Sequence, residues 1–462
     1  MRKNDESEFI FPIYGYSPPP DGKIRLDGTE YDTGKDFRTV ERYEEYKAAG
    51  FNILLTQGSA IYDGEIWETC QAKKTLDMAS EAGIQKAIIV DWRLMSLSRV
   101  EGGLIGEGKR FASESELDAY VEACMQPYRD HRIFYGIQLR DEPAYTYFRA
   151  IGELFRSVRR VRPGTFVQCN LLPLGPLRMM HRQYPNGRNL MDRFKAYLTQ
   201  FVQETKSGYI MYDHYPIEEK DEFERYYLAG LQIAGEVCKE QGVDFYMVIQ
   251  SFGMYNQGQP YFRLPTEEEI RYQVNMALGF GLQQLSYFTY WTKQDNDFKN
   301  EFYANGQAMI TREGEKTDTY FAVQKINAEV QLLAFILRGF RYSESTFFIN
   351  SFRSYPRMFE IASQGKLKYI EDVSADKEIV LVNELYNGTT DEYLYRIQNA
   401  TLPAKKEICG AQHVKIVFSE RVKSAKAFTR KERKTVSLKD GTYFTELPIG
   451  AAEYIIITVR RD

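Results

Sequence analysis

Ile133-Phe134-Tyr135-Gly136-Ile137-Gln138-Leu139-Arg140-Asp141-Glu142-Pro143 is a short apolar run that ends on two acids and a proline, and a helical pattern, Tyr145 to Val161, follows it directly. Working outward from this unit, the same alternation recurs on both sides. Strand-like runs cover Phe11 to Tyr16, Phe51 to Gln57, Gln85 to Arg93, Ile133 to Glu142, Thr165 to Leu172, Tyr209 to Tyr215, Asp244 to Phe252 and Gln284 to Trp291. Each is apolar and bounded by Gly, Pro, Asn or Asp, as expected of parallel strands covered by helices. Helical patterns fall between them at Arg38 to Ala49, Glu68 to Ala82, Glu114 to Tyr128, Met191 to Thr205, Asp221 to Glu240, Glu267 to Gly279 and Tyr320 to Leu337. Ala49-Gly50, Ala82-Gly83, Pro163-Gly164 and Gln241-Gly242 supply helix stops, since Gly takes the left-handed conformation of a C-cap at no steric cost. Eight strands and eight helices in alternation predict an α/β fold of the (β/α)8 TIM-barrel type over residues 1–340.

The rest of the 462-residue chain has a different period. Alternating runs at Ile379 to Asn383, Tyr393 to Gln398, Val414 to Ser419, Ala425 to Arg430, Thr442 to Leu447 and Tyr454 to Val459, with Asn387-Gly388 and Asp440-Gly441 as turn signals, predict a small all-β antiparallel sandwich over 341–462. That module has three open roles: binding sugar, mediating assembly or covering barrel surface.

Composition excludes several classes of function. The net charge is -4 with both signs mixed along the chain, so nucleic acid is not an expected partner; the basic run Arg430 to Lys434 reads as a solvated hairpin end. Met1 to Glu8 is polar, with no apolar stretch behind a basic start, which gives the expectation of a cytoplasmic protein with no membrane partner if this is the native start. Cys70, Cys124, Cys169, Cys238 and Cys409 are scattered and never in a CxxC spacing, which suits buried thiols in a reducing compartment. The four histidines, His131, His181, His214 and His413, form no HxH or HExxH pattern, so no metal or other cofactor is expected. A P-loop, a dinucleotide-binding fingerprint, GxSxG and a strand-terminal Schiff-base lysine are also absent.

Active sites of barrels lie at the C-terminal ends of the strands. Those ends carry Gln57, Asp91-Trp92-Arg93, Asp141-Glu142, Asn170, Asp213-His214-Tyr215, Gln250 and Tyr290-Trp291. Carboxylates and amides suit sugar hydroxyls, and Trp and Tyr faces suit sugar C–H faces, so a carbohydrate is the expected partner. If the two-residue strand period holds, Gln138, Arg140 and Glu142 face the lumen and Asp141 the rim. Competing readings stand beside these. Asp141-Glu142-Pro143 can simply cap the next helix, Asp213 can pair with Arg140, His214 can be a structural residue, and Trp92 and Trp291 can be core. Thr266-Glu267-Glu268-Glu269 reads as a helix N-terminus with a capping box. Arg99 to Ala112, rich in Gly, reads as a mobile loop over the pocket.

Tyr135 to Pro143, with Asp213-His214-Tyr215-Pro216, Gln250-Ser251-Phe252-Gly253 and Ser286-Tyr287-Phe288-Thr289-Tyr290-Trp291, resembles clan A glycoside hydrolases, most of all bacterial members near the family 42 β-galactosidases. The resemblance implies a glycosidase whose general acid/base, a Glu at the end of strand four, is Glu142. It also implies a sugar platform at Trp291. The family's nucleophile is a Glu at the end of strand seven, where this chain has Gln250, and its usual Asn before the acid/base is Asp141 here. Asp213 is therefore the candidate second carboxylate, with Asp91 behind it. Two rival readings remain: a catalytically silent carbohydrate-binding barrel, motivated by Gln250, and a metal-dependent lyase or isomerase built on Asp91, Glu142 and Asp213.

Overall fold

A computed structural model describes residues 10–26, 29–32, 35–57, 59–175, 182–218, 223–256, 259–292, 307–349, 357–377, 379–403, 410–428, 433–436, 438 and 440–460. His181, Cys409 and Arg430 lie outside the described residues. All eight expected strands form: β1 Ile13–Gly15, β2 Ile53–Leu55, β3 Lys86–Val90, β4 Phe134–Asp141, β5 Phe166–Asn170, β6 Tyr209–His214, β7 Asp244–Gln250 and β8 Leu282–Phe288. Nine helices are described: α1 Val40–Ala48, α2 Gln71–Glu81, α3 Trp92–Leu97, α4 Glu114–Met125, α5 Phe148–Val161, α6 Leu190–Thr205, α7 Tyr227–Gln241, α8 Glu267–Gly279 and α9 Asp318–Leu337. The short α3 begins at Trp92, inside the last two residues of the strand expected over Gln85 to Arg93, because Asp91 accepts the Arg93 N–H and caps a helix there. The capping box at Thr266 and Glu269 is present. Gly50, Gly83, Gly164 and Gly242 all take positive φ, between 68° and 90°. At Gly50 a Cβ would also come within 2.6 Å of Asn327 Cβ, so glycine is required there twice over.

The parallel strands do not make one continuous ladder. They form two four-stranded sheets, ordered β1-β8-β7-β6 and β2-β3-β4-β5. At the two seams, side chains take over the role of a ladder. Between β1 and β2 the Asn52 amide accepts from Ile13 N–H at 3.0 Å and donates to Phe11 O at 2.7 Å. Between β5 and β6 the Tyr209 hydroxyl donates to Val167 O at 2.6 Å and accepts from Cys169 N–H at 2.9 Å. One isolated parallel bridge, Leu171 to Tyr212, adds to that seam.

Strand parity sorts the side chains into two layers. Ile13, Leu54, Ile89, Ile137, Val167 and Ile210 join the large core under the helices. Tyr14, Tyr16, Leu55, Val90, Met211 and Val248 form a separate cluster inside. At the N-terminal end the inner layer is floored by stacked rings: Tyr135 on Phe166 at 5.3 Å, Phe166 on Tyr209 at 5.3 Å, and Tyr209 on Tyr246 at 4.7 Å. Polar side chains, Gln138, Gln168, Asn170 and Asp213 among them, occupy the other end, buried. An apolar floor under a polar layer confines chemistry to the C-terminal ends of the strands.

From Arg341 onward all described strands are antiparallel: β9 Arg341–Ile349, β10 Ile370–Ala375, β11 Ile379–Asn387, β12 Glu392–Asn399, β13 Gln412–Phe418, β14 Val422–Phe428, β15 Arg433–Val436, β16 Thr442–Leu447 and β17 Ala452–Val459. A six-stranded sheet, β9-β11-β12-β17-β14-β15, faces a three-stranded one, β10-β13-β16. Asp440 and Gly441, at φ 51° and 73°, make the expected tight turn into β16. β9 is missing from the sequence reading because its buried Ser345 and the residues Arg341, Ser343 and Glu344 break the apolar alternation. Ser345 instead bonds to Gln232 of α7 at 3.1 Å. Arg433 and Lys434, read from sequence as a solvated hairpin end, belong to the edge strand β15 paired with β14. The antiparallel part lies against α7 and α8, which is why α7 is buried on nearly every face. Among the described residues no helix is long and apolar enough to cross a membrane.

The Tyr209 seam is testable. Tyr209→Phe leaves a buried N–H and a buried carbonyl without their partner, so urea denaturation should show a loss of about 2 to 4 kcal/mol, well beyond that of a hydroxyl bonded only to water.

Candidate active site

The site begins with a register slip. In the β4–β5 pairing Gln138 faces Gln168, Arg140 faces Cys169 and Asp141 faces Asn170, so β4 carries one extra residue between Gln138 and Arg140. A bulge of this kind reverses the side to which every later residue points. Arg140, expected in the lumen, is therefore on the helix side with Cys169, its guanidinium over the Tyr147 ring at 5.4 Å. Asp141, expected on the rim, takes the lumen side. Glu142 then reaches the same cluster by another route: its φ is 46°, its N–H donates to Asn170 O at 2.9 Å, and the next carbonyl, Pro143 O, accepts from Tyr197 at 2.6 Å. A left-handed glutamate is uncommon and persists only where neighbours hold it.

Asp213, at the end of β6, is 4% exposed and lies beside both acids. One carboxamide ties the group together: Asn170 Nδ2 donates to Asp141 Oδ1 at 2.9 Å and to Asp213 Oδ1 at 3.0 Å. Burial pushes the Asp213 carboxyl up to about 6, with the Asp141 charge adding, while hydrogen bonds from Tyr215 and Asn170 pull it down. The Asp213 charge drives Glu142 well above the ordinary carboxyl range, with desolvation and Asp141 adding to it. Glu142 keeps an open face to solvent, but the surrounding walls and its hydrogen-bond contact with Asp213 leave its charge poorly hydrated. Two carboxyls in contact titrate as a pair, and here burial and mutual repulsion push both members towards the protonated form. The alternative pairing of Asp213 with Arg140 does not occur among the described residues, since Arg140 has turned away.

Aromatic rings wall the acids on one side. Tyr215, which bonds to Asp213, lies 5.5 Å from the Phe288 ring and edge-on to Phe252 at 5.1 Å and to Phe262 at 5.8 Å. Tyr16 lies 6.0 Å from Phe288 on the other side. Sequence reading missed Phe288, although parity was available as a signal: Ser286 and Phe288 alternate with the helix-side Leu285 and Tyr287. Tyr184 was also missed; both Glu142 and Asp213 act on its buried hydroxyl.

Other strand-end residues serve the fold. Tyr290 and Trp291, expected as pocket platforms, are buried against the first helical layer: Tyr290 edge-on to Tyr46 at 4.9 Å, and Trp291 against Phe37 at 4.8 Å and 2% exposed. Gln250 is fully buried, and its amide is committed to backbone, accepting from Ile217 N–H at 2.9 Å and donating to Ile217 O at 3.0 Å and Arg263 O at 2.9 Å. Asp91 is buried, paired with Arg93 at 2.7 Å and bonded by Tyr128 at 2.9 Å. His214 points to the helix side and meets Glu224 at 3.2 Å. Trp92 is partly exposed outside the acid cluster, under Arg99 at 4.8 Å, and Gln57 accepts from Ser17 N–H at 3.2 Å at the end of β1. The loop Arg99 to Ala112, expected to be mobile, is anchored: buried Leu104 donates its N–H to Glu153, and Gly102 donates to Thr146 O at 3.4 Å.

No protein-family model and no curated protein matches this sequence. Solved structures do. An α-amylase from Anoxybacillus, described as representing a new glycosyl hydrolase subclass, aligns over 98% of this chain and 98% of its own, with 11% identity and a TM-score of 0.50. A glycoside hydrolase family 5 protein from Bacteroides vulgatus aligns over 97% and 89%, with 12% identity and the same TM-score. A β-galactosidase from Marinomonas ef1 aligns at 12% identity and a TM-score of 0.46 over 66% of this chain, which spans 59% of that protein's length. The first two likenesses establish the fold: parallel strands in the manner of glycoside hydrolase barrels.

The raised Asp213 carboxyl has a stability consequence. A carboxyl whose folded pKa lies above its unfolded value of 3.8 destabilises the fold at pH above the higher value and has no effect below the lower one. Asp213→Asn should therefore stabilise the protein at pH 7, by at most on the order of 3 kcal/mol, and lose that advantage below about pH 4; thermal melts across this range check it.

Proposed function

We propose that the chain is a glycoside hydrolase that cleaves an O-glycosidic bond of a small oligosaccharide or glycoside. The observation carrying this reading is the contact between Glu142 and Asp213, two carboxyls driven to different protonation tendencies at the C-terminal ends of β4 and β6. Glycoside cleavage needs a proton for the leaving oxygen and a second, ionised carboxylate for the anomeric carbon or its attacking water. Glu142, which keeps the proton, is the acid; Asp213, held by Asn170 and Tyr215, is the partner carboxylate. The aromatic wall of Tyr215 and Phe288 offers faces for sugar C–H groups. On this reading the two parallel sheets are halves of a (β/α)8 barrel over residues 1–340, residues 341–462 are a β-sandwich covering α7 and α8, and the relatives to seek first are clan A proteins near the family 42 β-galactosidases.

One specific observation favours a second reading, a carbohydrate-binding barrel without turnover: the strand-seven end holds Gln250, and its amide is committed to backbone. The metal-dependent lyase or isomerase reading required Asp91 beside Glu142 and Asp213. Asp91 is instead engaged by Arg93 and Tyr128.

Hydrolysis of a panel of aryl glycosides and oligosaccharides, with product anomers followed by NMR, separates these readings. Wild type should turn over at least one substrate, and Glu142→Gln and Asp213→Asn should each lose about 100- to 10,000-fold in kcat/KM. The rate should rise with pH through about 6, as Asp213 ionises, and fall again at higher pH as Glu142 gives up its proton. Sugar binding without turnover by wild type selects the silent barrel, and full activity in Glu142→Gln overturns the assignment.

A further inference from the structure

The hydrogen bonding around Asn170 extends this reading, on which the inference rests for its catalytic meaning. Asn170 is buried at the end of β5, with two carboxylates on its one NH2 group, at 2.9 Å and 3.0 Å. Its backbone carbonyl accepts the Glu142 N–H at 2.9 Å, so the same residue also fixes the left-handed turn that carries the third acid. All three acids thus touch one side chain or its own peptide. An amide N–H can donate to a carboxylate oxygen but has nothing to accept from a protonated one, so each bond favours the ionised form of its acceptor. Glu142 receives no such bond from the carboxamide.

We propose that Asn170 is a positioning residue that, by sharing one carboxamide NH2 between Asp141 and Asp213, favours the carboxylate form of Asp213 and so leaves Glu142 as the proton carrier of the pair. No atom of substrate need touch it. The acids and phenols facing this cluster are Tyr14 on β1 and Tyr16 just past it, Asp141 on β4 and Glu142 just past it, Asp213 on β6 and Tyr215 just past it, and Tyr184 and Tyr197 from the segment and helix that follow β5. Behind the strand, Cys169 and the Arg140 guanidinium also act on Asp141. The Asn170 amide donates to two of these carboxylates at once, so it weighs directly on which carboxyl ionises.

The test is a 13C NMR titration of the full-length protein labelled at aspartate carboxyl carbons, with Asp213 assigned by its loss in Asp213→Asn. Asn170→Leu keeps the volume and removes both donors; Asn170→Ser retains a single donor. In Asn170→Leu the Asp213 midpoint should move up by about one pH unit, and the acid limb of kcat/KM should move with it while KM changes little. Asn170→Ser should move both less, and it carries the test if the leucine variant does not fold. An unchanged Asp213 midpoint in a folded variant overturns the proposal, because a merely packing role would lower stability without moving a titration. The titration needs no substrate. If wild type hydrolyses no glycoside, the glycosidase reading fails while the titration still judges Asn170; if hydrolysis depends on Glu142 and the midpoint stays put, only the Asn170 proposal fails.

Discussion

The extra residue between Gln138 and Arg140 is the constraint on which the pocket depends. Side chains alternate strictly along a strand, so one inserted residue exchanges the two faces for everything that follows. Without it, Arg140 would take the lumen side and Asp141 the opposite one, and the buried Asp213 would share its side of the strand ends with a guanidinium. With it, the positive charge is placed against Tyr147 behind the strand and two consecutive acids border a third.

Placing like charges together in a poorly hydrated pocket is unfavourable for the fold, and the surrounding structure is built to tolerate it. Asn170 and Tyr215 donate to the acids, Tyr197 holds the Pro143 carbonyl, and the ring stack beneath the polar layer provides a rigid floor. The same logic recurs at the sheet seams, where the Asn52 amide and the Tyr209 hydroxyl satisfy backbone groups that a continuous ladder would have satisfied. Polar side chains in this protein therefore act where regular backbone pairing stops, both at the seams and at the ends of the strands.

Much of this was legible in the residues. Apolar runs of parallel-strand length, separated by helical periods and glycine stops, located β1 to β8 and most of the helices, and the acid pair Asp141-Glu142 stood out at a strand end. Individual assignments to the site were less legible. Trp291, Gln250 and Asp91 have the composition of a carbohydrate pocket, yet each is turned into the fold, because a strand-end residue points to the lumen or to the helices depending on one step of register. Phe288 was overlooked for the same reason, three positions before the more conspicuous tryptophan.

The sequence by itself determined the alternation of parallel strands and helices, the change to antiparallel strands in the last quarter of the chain, and the supply of acids at strand ends, because periodicity and turn chemistry are local properties of the chain. Only the tertiary structure decided which acids meet. That depends on a bulge in β4, a left-handed turn at Glu142, and an amide on β5 reaching one acid on β4 and another on β6, and contacts between residues 29 and 43 positions apart leave no periodic trace in the sequence.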